Sequence, residues 1–342
     1  SLLSSRAFER AAVCLKVVAR SCGDKILRRA LQEGLLDTNL YCLLGATLLE
    51  QDRPREAEKY LTQSIALAPT FARAYELRAS AFIAQQRMRQ GLADLQRAQM
   101  LAPDSKLILM KLGEAYISVG QKADASKVLL ALLSLRPDGV TILLRLARAF
   151  AVLRQWKAAE IALERATTLE TDLFQAWMDL GFVQLQQDQL EAAQESYRHA
   201  ASLRVMSAAP RVAVATAQVL AGSHQEALAS YRQALELEPT NADALAGLGH
   251  LLKTIGDQAG AIKAYRTCIA NHPGDGQAYW ALADFKTINF EDDEITAMEA
   301  QLDSRELGKA DRIGLFFALG TALDRRREFD RAFDCFRQGN EL

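Results

Sequence analysis

Apolar residues return at every third or fourth position through most of the chain, with polar residues between them. This spacing lays one apolar stripe along an α-helix. Tyr41, Leu44, Gly45 and Leu48 show it, as do Leu109, Leu112, Gly113 and Tyr116, and again Trp177, Leu180 and Gly181. The stripes themselves repeat. Pro69, Pro103 and Pro137 are spaced by 34 residues, and Pro239 and Pro273 keep the interval. Small residues keep the same step at Gly45, Ala79, Gly113, Ala147, Gly181, Ala215 and Gly249, and a second series runs from Ala57 through Gly91, Ala125, Ala159, Ala193 and Ala227 to Ala261. Four places after each member of the second series comes a bulky residue, Leu61, Leu95, Leu129, Leu163, Tyr197, Tyr231 or Tyr265. The register runs without a slip from Thr38 to Asp275 and predicts seven 34-residue units over residues 38–275. Each is an antiparallel helix pair, because small residues at the eighth and twentieth places let two helices approach closely. A lone pair cannot bury both its faces, so the units must stack, and contacts are expected only between neighbours.

The punctuation agrees. Gly120, Gly222 and Gly256 fall where first helices should end, and glycine adopts the left-handed cap conformation without strain. Asp257 is expected as an N-cap, Ser223 with Glu226 as a capping box, and Pro54 at a helix start. The recurring prolines close second helices. Thr171 and Val205 replace that proline, and Arg211 with Val214 interrupts the sixth unit's first stripe, so that unit is expected to be the least regular. Trp177 is expected to fill a hole between units. These positions resemble the tetratricopeptide repeat (TPR), a helix–turn–helix of about 34 residues. The resemblance implies an all-α, TPR-type α-solenoid of antiparallel helix pairs forming a right-handed superhelix, with a non-catalytic, protein-binding role.

Outside the register, residues 1–37 predict a helical cap or degenerate repeat. Residues 276–312 predict an interrupted eighth repeat, begun by Tyr279, Trp280, Leu282 and Ala283 and ending in an acidic-fronted helix. Residues 313–342 predict a partial ninth repeat, truncated, so that the natural protein is expected to continue. Within this region lie Asp284–Phe285–Lys286–Thr287, Asp293–Glu294–Ile295 with Met298–Glu299, Phe317–Leu323, Phe329–Phe333 and Gly339–Asn340. This run resembles the join between TPR units and catalytic domain in bacterial TPR-containing sulfotransferases. The resemblance implies a substrate-recruiting arm whose catalytic domain lies outside this chain. A stand-alone adaptor for complex assembly, or the TPR arm of another group-transfer enzyme, remains open.

Composition narrows the chemistry. Half the residues are hydrophobic, and 41 basic residues face 42 acidic ones, a net charge of −1. Such balance argues against a nucleic-acid partner. Charge-free apolar stretches such as Val128–Leu135 and Val212–Ser223 fall short of the ~20 residues of a membrane span. Cys14, Cys22, Cys42, Cys268 and Cys335 form no CxxC and read as buried thiols of a reducing, cytoplasmic compartment. No phosphate-binding GxxxxGK occurs, and Gly274–Asp275–Gly276 reads as an inter-helix turn. His199, His224, His250 and His272 are scattered along the chain, none spaced as helix-mate ligands. Asp292, Asp293 and Glu294 complement a helix N-terminus, and Arg325–Arg326–Arg327 reads as a solvated turn. No catalytic residue, cofactor site or metal site is expected, and the chain itself is not expected to be an enzyme.

A protein or peptide partner is expected in the concave groove lined by the first helix of each pair. The groove lacks the asparagine ladder of TPR-bearing O-GlcNAc transferases and the Lys/Asn clamp of cochaperone TPRs. Its one basic spot is Lys111, Arg145 and Arg148, beside Met110, Leu144 and Met178. These residues either dock an acidic or C-terminal stretch of a partner, or Arg148 is occupied by Glu114 one unit earlier.

Overall fold

The computed structural model describes Leu27, residues 37–304 and residues 307–342. The expected N-terminal cap over residues 1–37, with Cys14 and Cys22, lies outside the described residues except for Leu27 and Asp37. The described residues form eighteen helices and no strand. They divide into two compact units, one ending at Thr171 and the other beginning at Asp172.

The first unit holds four helix pairs: α1 (Thr38–Glu50) with α2 (Pro54–Leu67), α3 (Ala72–Ala84) with α4 (Met88–Leu101), α5 (Lys106–Ser118) with α6 (Lys122–Ser134), and α7 (Val140–Val152) with α8 (Trp156–Leu169). The second unit opens with three more pairs: α9 (Phe174–Leu185) with α10 (Leu190–Leu203), α11 (Ala209–Leu220) with α12 (His224–Leu237), and α13 (Ala242–Thr254) with α14 (Gln258–Asn271). Within each unit, extensive packing joins only helices one or two apart in chain order, as the stacking of pairs requires. First helices also touch the next first helix, α1 with α3, α5 with α7, and α11 with α13, so they form a common face.

Each pair is held by one interlock. A Cβ added to Gly45 would lie 2.5 Å from Leu61, and the same addition at Gly113, Gly181 or Gly249 would strike Leu129, Tyr197 or Tyr265 at 2.4–2.6 Å. Where the eighth place is glycine there is no room for a side chain, because the bulky twenty-fourth-place residue of the second helix occupies it; Ala79, Ala147 and Ala215 fill the other units with no more than a methyl group. Leu61, Leu95, Leu129 and Tyr265 are fully buried there.

The turn inside each pair also follows the period. Asp52, Gln86, Gly120, Arg154, Asp188, Gly222 and Gly256 all have left-handed backbone, φ between 56° and 88°. The next N–H in each case reaches back to a first-helix carbonyl at 2.9–3.0 Å, from Arg53 to Leu48 through to Asp257 to Leu252. This closes the helix end as a Schellman motif does. Four of the seven positions are not glycine, so the hydrogen bonds impose the turn whatever the residue. Asp257 caps α14 by accepting the Gly260 N–H at 2.9 Å. Ser223, expected in a capping box, makes no side-chain cap to α12. Its backbone is already committed to this turn, and Glu226 instead accepts from Gln218 at 3.2 Å. The sixth unit keeps both helices, but α11 starts one repeat place late, at Ala209, after an N-cap residue already in helical backbone, and Pro210 lies in its first turn, where its missing N–H costs least.

Beyond Asp275 the pairing changes. The short α15 (Gly276–Ala283) packs directly on α17 (Lys309–Arg325), which pairs with α18 (Phe329–Glu341), and α16 (Asp292–Leu302) lies against α17. The approach of α15 to α17 is backbone on backbone: a Cβ on Gly276 would lie 1.8 Å from the Asp311 carbonyl oxygen, and one on Gly314 2.4 Å from that of Gly276. Gly276 is thus a crossing point as well as part of the expected turn, and Asp275 caps α15 by accepting the Ala278 N–H at 2.9 Å. Helix α17 starts at Lys309, a turn ahead of the repeat register, where Arg312 donates to the carbonyls of Leu302 and Ser304 at 2.7 Å each. Two of the three arginines expected in a solvated turn are structural, while Arg327 is exposed in the turn itself. Arg325 donates to the carbonyls of Ala283 (2.8 Å), Phe285 (3.2 Å) and Ile288, and Arg326 to Phe290 (2.7 Å) and the Asp292 carboxylate. A turn of like charges has somewhere to go because the interrupted repeat leaves carbonyls without helical partners.

Gly314→Ala is expected to lower stability by ~1–3 kcal/mol in urea melts, because a carbonyl at that distance cannot move aside as a side chain can. Gly274→Ala, whose nearest new neighbour would be 3.4 Å away, is the control and is expected to stay within about 0.5 kcal/mol of the parent. Coincident melts for the two variants would contradict the crossing.

Candidate binding faces on the first helices

In the first unit the face carries a ladder of paired charges. Glu76, at the fifth place of α3, is 1% exposed, yet it receives both Lys111 from α5 and Arg73 from its own helix. The Lys111 ammonium also donates to Ser80 Oγ at 2.7 Å. Such a carboxylate is held inside only because cations and hydrogen bonds replace its water. One step along, Arg145 on α7 grips Glu114 on α5 with two bonds, 3.0 Å from Nε and 2.5 Å from Nη2. The fork geometry of guanidinium on carboxylate makes this the more directional pair.

The expected basic spot is therefore redistributed. Glu114 is taken by Arg145, which sits one turn before Arg148 and reaches it in bidentate geometry. Arg148 is exposed and forms no ion pair among the described residues. Met110 is fully buried between helices and cannot line a groove. Leu144 is half-buried on the face. Met178 belongs to the second unit, where it packs beside Tyr197 and Val214. Arg73 and Ser80, absent from the sequence-based set, join the ladder; reading the second and ninth repeat places together with the fifth and sixth would have found them. At the second, fifth, sixth and ninth places the first unit has four cations, Arg73, Lys111, Arg145 and Arg148, and two carboxylates, Glu76 and Glu114.

The second unit presents a different face. Its fifth-place column is Met178, Val212, Ala246 and Trp280, followed by Phe317 on α17, and none of these is charged. Trp280 is 48% exposed and lies 5.9 Å, ring centre to ring centre, from Phe317, which in turn lies 6.1 Å from Phe336. The expected filler Trp177 is only half-buried and lies tilted against His199, with ring centres 4.1 Å apart. His250 Nδ1 meets the Tyr265 hydroxyl at 2.8 Å, and burial together with nearby Lys253 holds this imidazole below its ordinary pKa.

No three His, Cys, Asp or Glu side chains among the described residues are grouped to hold a metal ion, and no described helix is long and apolar enough to cross a membrane. Cys42, Cys268 and Cys335 are buried free thiols. Burial pushes Cys42 up to about 11. Burial, then the Asp275 carboxylate 3.3 Å from its sulfur, pushes Cys268 up to about 12. Burial also raises the interlocking tyrosines, Tyr197 to about 12, with Tyr231 and Tyr265 in the same direction.

Family models described as tetratricopeptide repeat match residues 42–106, 110–173, 174–204 and 218–285. Among solved structures, the C-terminal part of a TPR repeat-containing protein from Cytophaga hutchinsonii is 11% identical, covers 80% of this chain and 99% of its own, and superposes with a TM-score of 0.53. YrrB, described as a TPR protein with an unusual peptide-binding site, is 18% identical over 54% of this chain and 95% of its own, with a TM-score of 0.47. The MamA protein is 18% identical over 55% of this chain and 100% of its own, with a TM-score of 0.44. At these identities the likeness concerns the fold. No match was found among curated proteins.

Thiols and tyrosines whose folded pKa values are raised favour the protonated state, so their contribution is intact below the unfolded value of about 8.5 for cysteine and is lost as pH rises through the folded values. Urea midpoints are expected to fall steadily above about pH 9. Native protein at neutral pH is expected to resist alkylation at Cys42, Cys268 and Cys335, since only the exposed thiolate reacts. Rapid labelling of these three without unfolding, read by peptide mass, would contradict their burial.

Proposed function

We propose, for a chain that belongs to the tetratricopeptide-repeat family, that it is a non-catalytic scaffold whose first-helix faces hold a segment of a partner protein. The observation that carries this reading is Arg148, an exposed guanidinium left without a counter-ion on a face where cations outnumber carboxylates. Arg145, three residues earlier on the same side of α7, is neutralised by Glu114 and leaves Arg148 as the free charge there. Lys111 contributes less, because its ammonium is spent on Glu76 and Ser80. Half-buried Leu144 offers apolar surface beside them. The partner chemistry that suits this spot is an acidic or C-terminal stretch, whose carboxylates a guanidinium can hold through two bonds. The buried thiols favour a reducing compartment such as the cytoplasm.

A second, finer reading makes the chain the substrate-recruiting arm of a bacterial sulfotransferase. Support comes from the run between Asp284 and Asn340, where the repeat is broken by α16 and the break is tied down by Arg325 and Arg326. The residues encoded after Leu342 test it. A strand followed by a phosphate-binding loop rich in Pro, Arg, Ser and Gly would support the arm, and further repeats alone would overturn it.

For the first reading, Arg148→Glu is the informative change, since it removes an exposed side chain and leaves both ion pairs intact. A glutamate-rich peptide with a free C-terminus is expected to bind the parent protein in calorimetry and to lose about tenfold in affinity to the variant, roughly 1.4 kcal/mol. Equal affinities would overturn the docking site.

A further inference from the structure

The two faces differ in charge, and the difference names a second kind of ligand. At the second, fifth, sixth and ninth places of the second unit's first helices there is no lysine or arginine, but there are three carboxylates, Asp179, Asp243 and Asp284. Asp243 is exposed. Asp179 accepts only the neutral Gln175 amide, at 2.7 Å. His250, the remaining titratable group at these places, has its pKa held down and adds no compensating charge at neutral pH. The sixth-place column beside them is nearly bare, with Ala213, Gly247 and Ala281. A Cβ on Gly247 would meet the Tyr231 hydroxyl at 2.5 Å, so the floor there is backbone lying on a ring. The fifth-place column above it ends in half-exposed Trp280, supported from behind by Phe317.

We propose that this face of the second unit binds a cationic, extended peptide segment, with a Lys or Arg side chain laid over Trp280 and Asp243 and Asp179 supplying the counter-charge. The inference rests on the reading that first-helix faces hold partner segments, and it assigns the chemistry of one of them. An indole face attracts a cation through its quadrupole, and does so more strongly when water is partly excluded. The chain already uses this combination at the edge of the same face. Lys253 places its ammonium 5.2 Å from the Phe285 ring centre while pairing with Asp284. That pair occupies Asp284 and leaves Asp243 and Asp179 for a ligand. Small sixth-place residues let the peptide backbone approach, and the apolar column accepts its intervening side chains and the methylene stems of the basic ones.

The test uses the whole chain and two labelled peptides of equal length, one arginine-rich and one glutamate-rich, read by fluorescence anisotropy. The arginine-rich peptide is expected to bind, to weaken as salt rises, and to lose at least about fivefold in affinity to Trp280→Ala and to Asp243→Asn. Asp243→Asn changes an exposed residue only, so it remains informative if Trp280→Ala lowers the melting temperature. Absence of arginine-peptide binding, or binding that neither variant weakens, would overturn the inference. If the glutamate-rich peptide still binds through Arg148, the scaffold reading stands without it. If neither peptide binds, both fall.

Discussion

Everything in this molecule depends on how near two helices of a pair can come. At the eighth place of each first helix stands Gly or Ala, and the Leu or Tyr at the twenty-fourth place lies in the space that a longer side chain would take. The same arrangement returns after the interruption, where Gly320 faces the Phe336 ring and an added Cβ would lie 2.7 Å from it. Small against large fixes the rotation of each helix about its axis. Rotation in turn decides which residues face the neighbouring pair and which face outward from the first helix. Because each interlock is satisfied inside one repeat, the stack needs no long-range pairing, and surface positions are released from structural duty in a fixed pattern.

Breaking that rule requires compensation, and the segment after Asp275 shows what kind. With α15 cut to a short helix, the carbonyls between Ala283 and Phe290 lose the helical N–H groups that would otherwise satisfy them. Arg325 and Arg326 replace those donors, each guanidinium serving more than one acceptor. Two glycines, Gly276 and Gly314, then let α15 and α17 meet at backbone distance, so the first-helix succession continues although a second helix is missing between them. Trp280 and Phe317 become neighbours for this reason. The half-exposed aromatic pair is thus a consequence of the interrupted repeat.

The charged ladder of the first unit illustrates how far a one-dimensional reading reaches. The repeat places correctly put Lys111, Arg145 and Arg148 on first helices, and Glu114 was recognisable as a partner for an arginine. Which arginine it takes was not legible, because Arg145 and Arg148 lie on the same side of α7 and differ only in how well each fork aligns with the carboxylate. Met110 occupies a nominal groove place and is nonetheless buried, since fifth-place residues range from buried Glu76 to half-exposed Trp280 according to the neighbouring pair. Glu76 is the clearest example. A carboxylate at a buried place reads as a conflict until Lys111 and Arg73 are seen to converge on it.

The period of 34, the helical stripes, the small-against-large pairing and the positions of the turns were set by the sequence alone. They rest on interactions between residues close in the chain or one repeat apart, where spacing and side-chain volume leave few alternatives. Tertiary structure decided the rest: the partner of each long charged side chain, the burial of Met110, the use of Arg325 and Arg326 as substitutes for missing backbone donors, and the meeting of Trp280 with Phe317. Lysine and arginine have several rotatable bonds and many reachable acceptors, and an interrupted repeat removes the register that would locate its neighbours. Such choices follow from distances in three dimensions, which the order of residues does not contain.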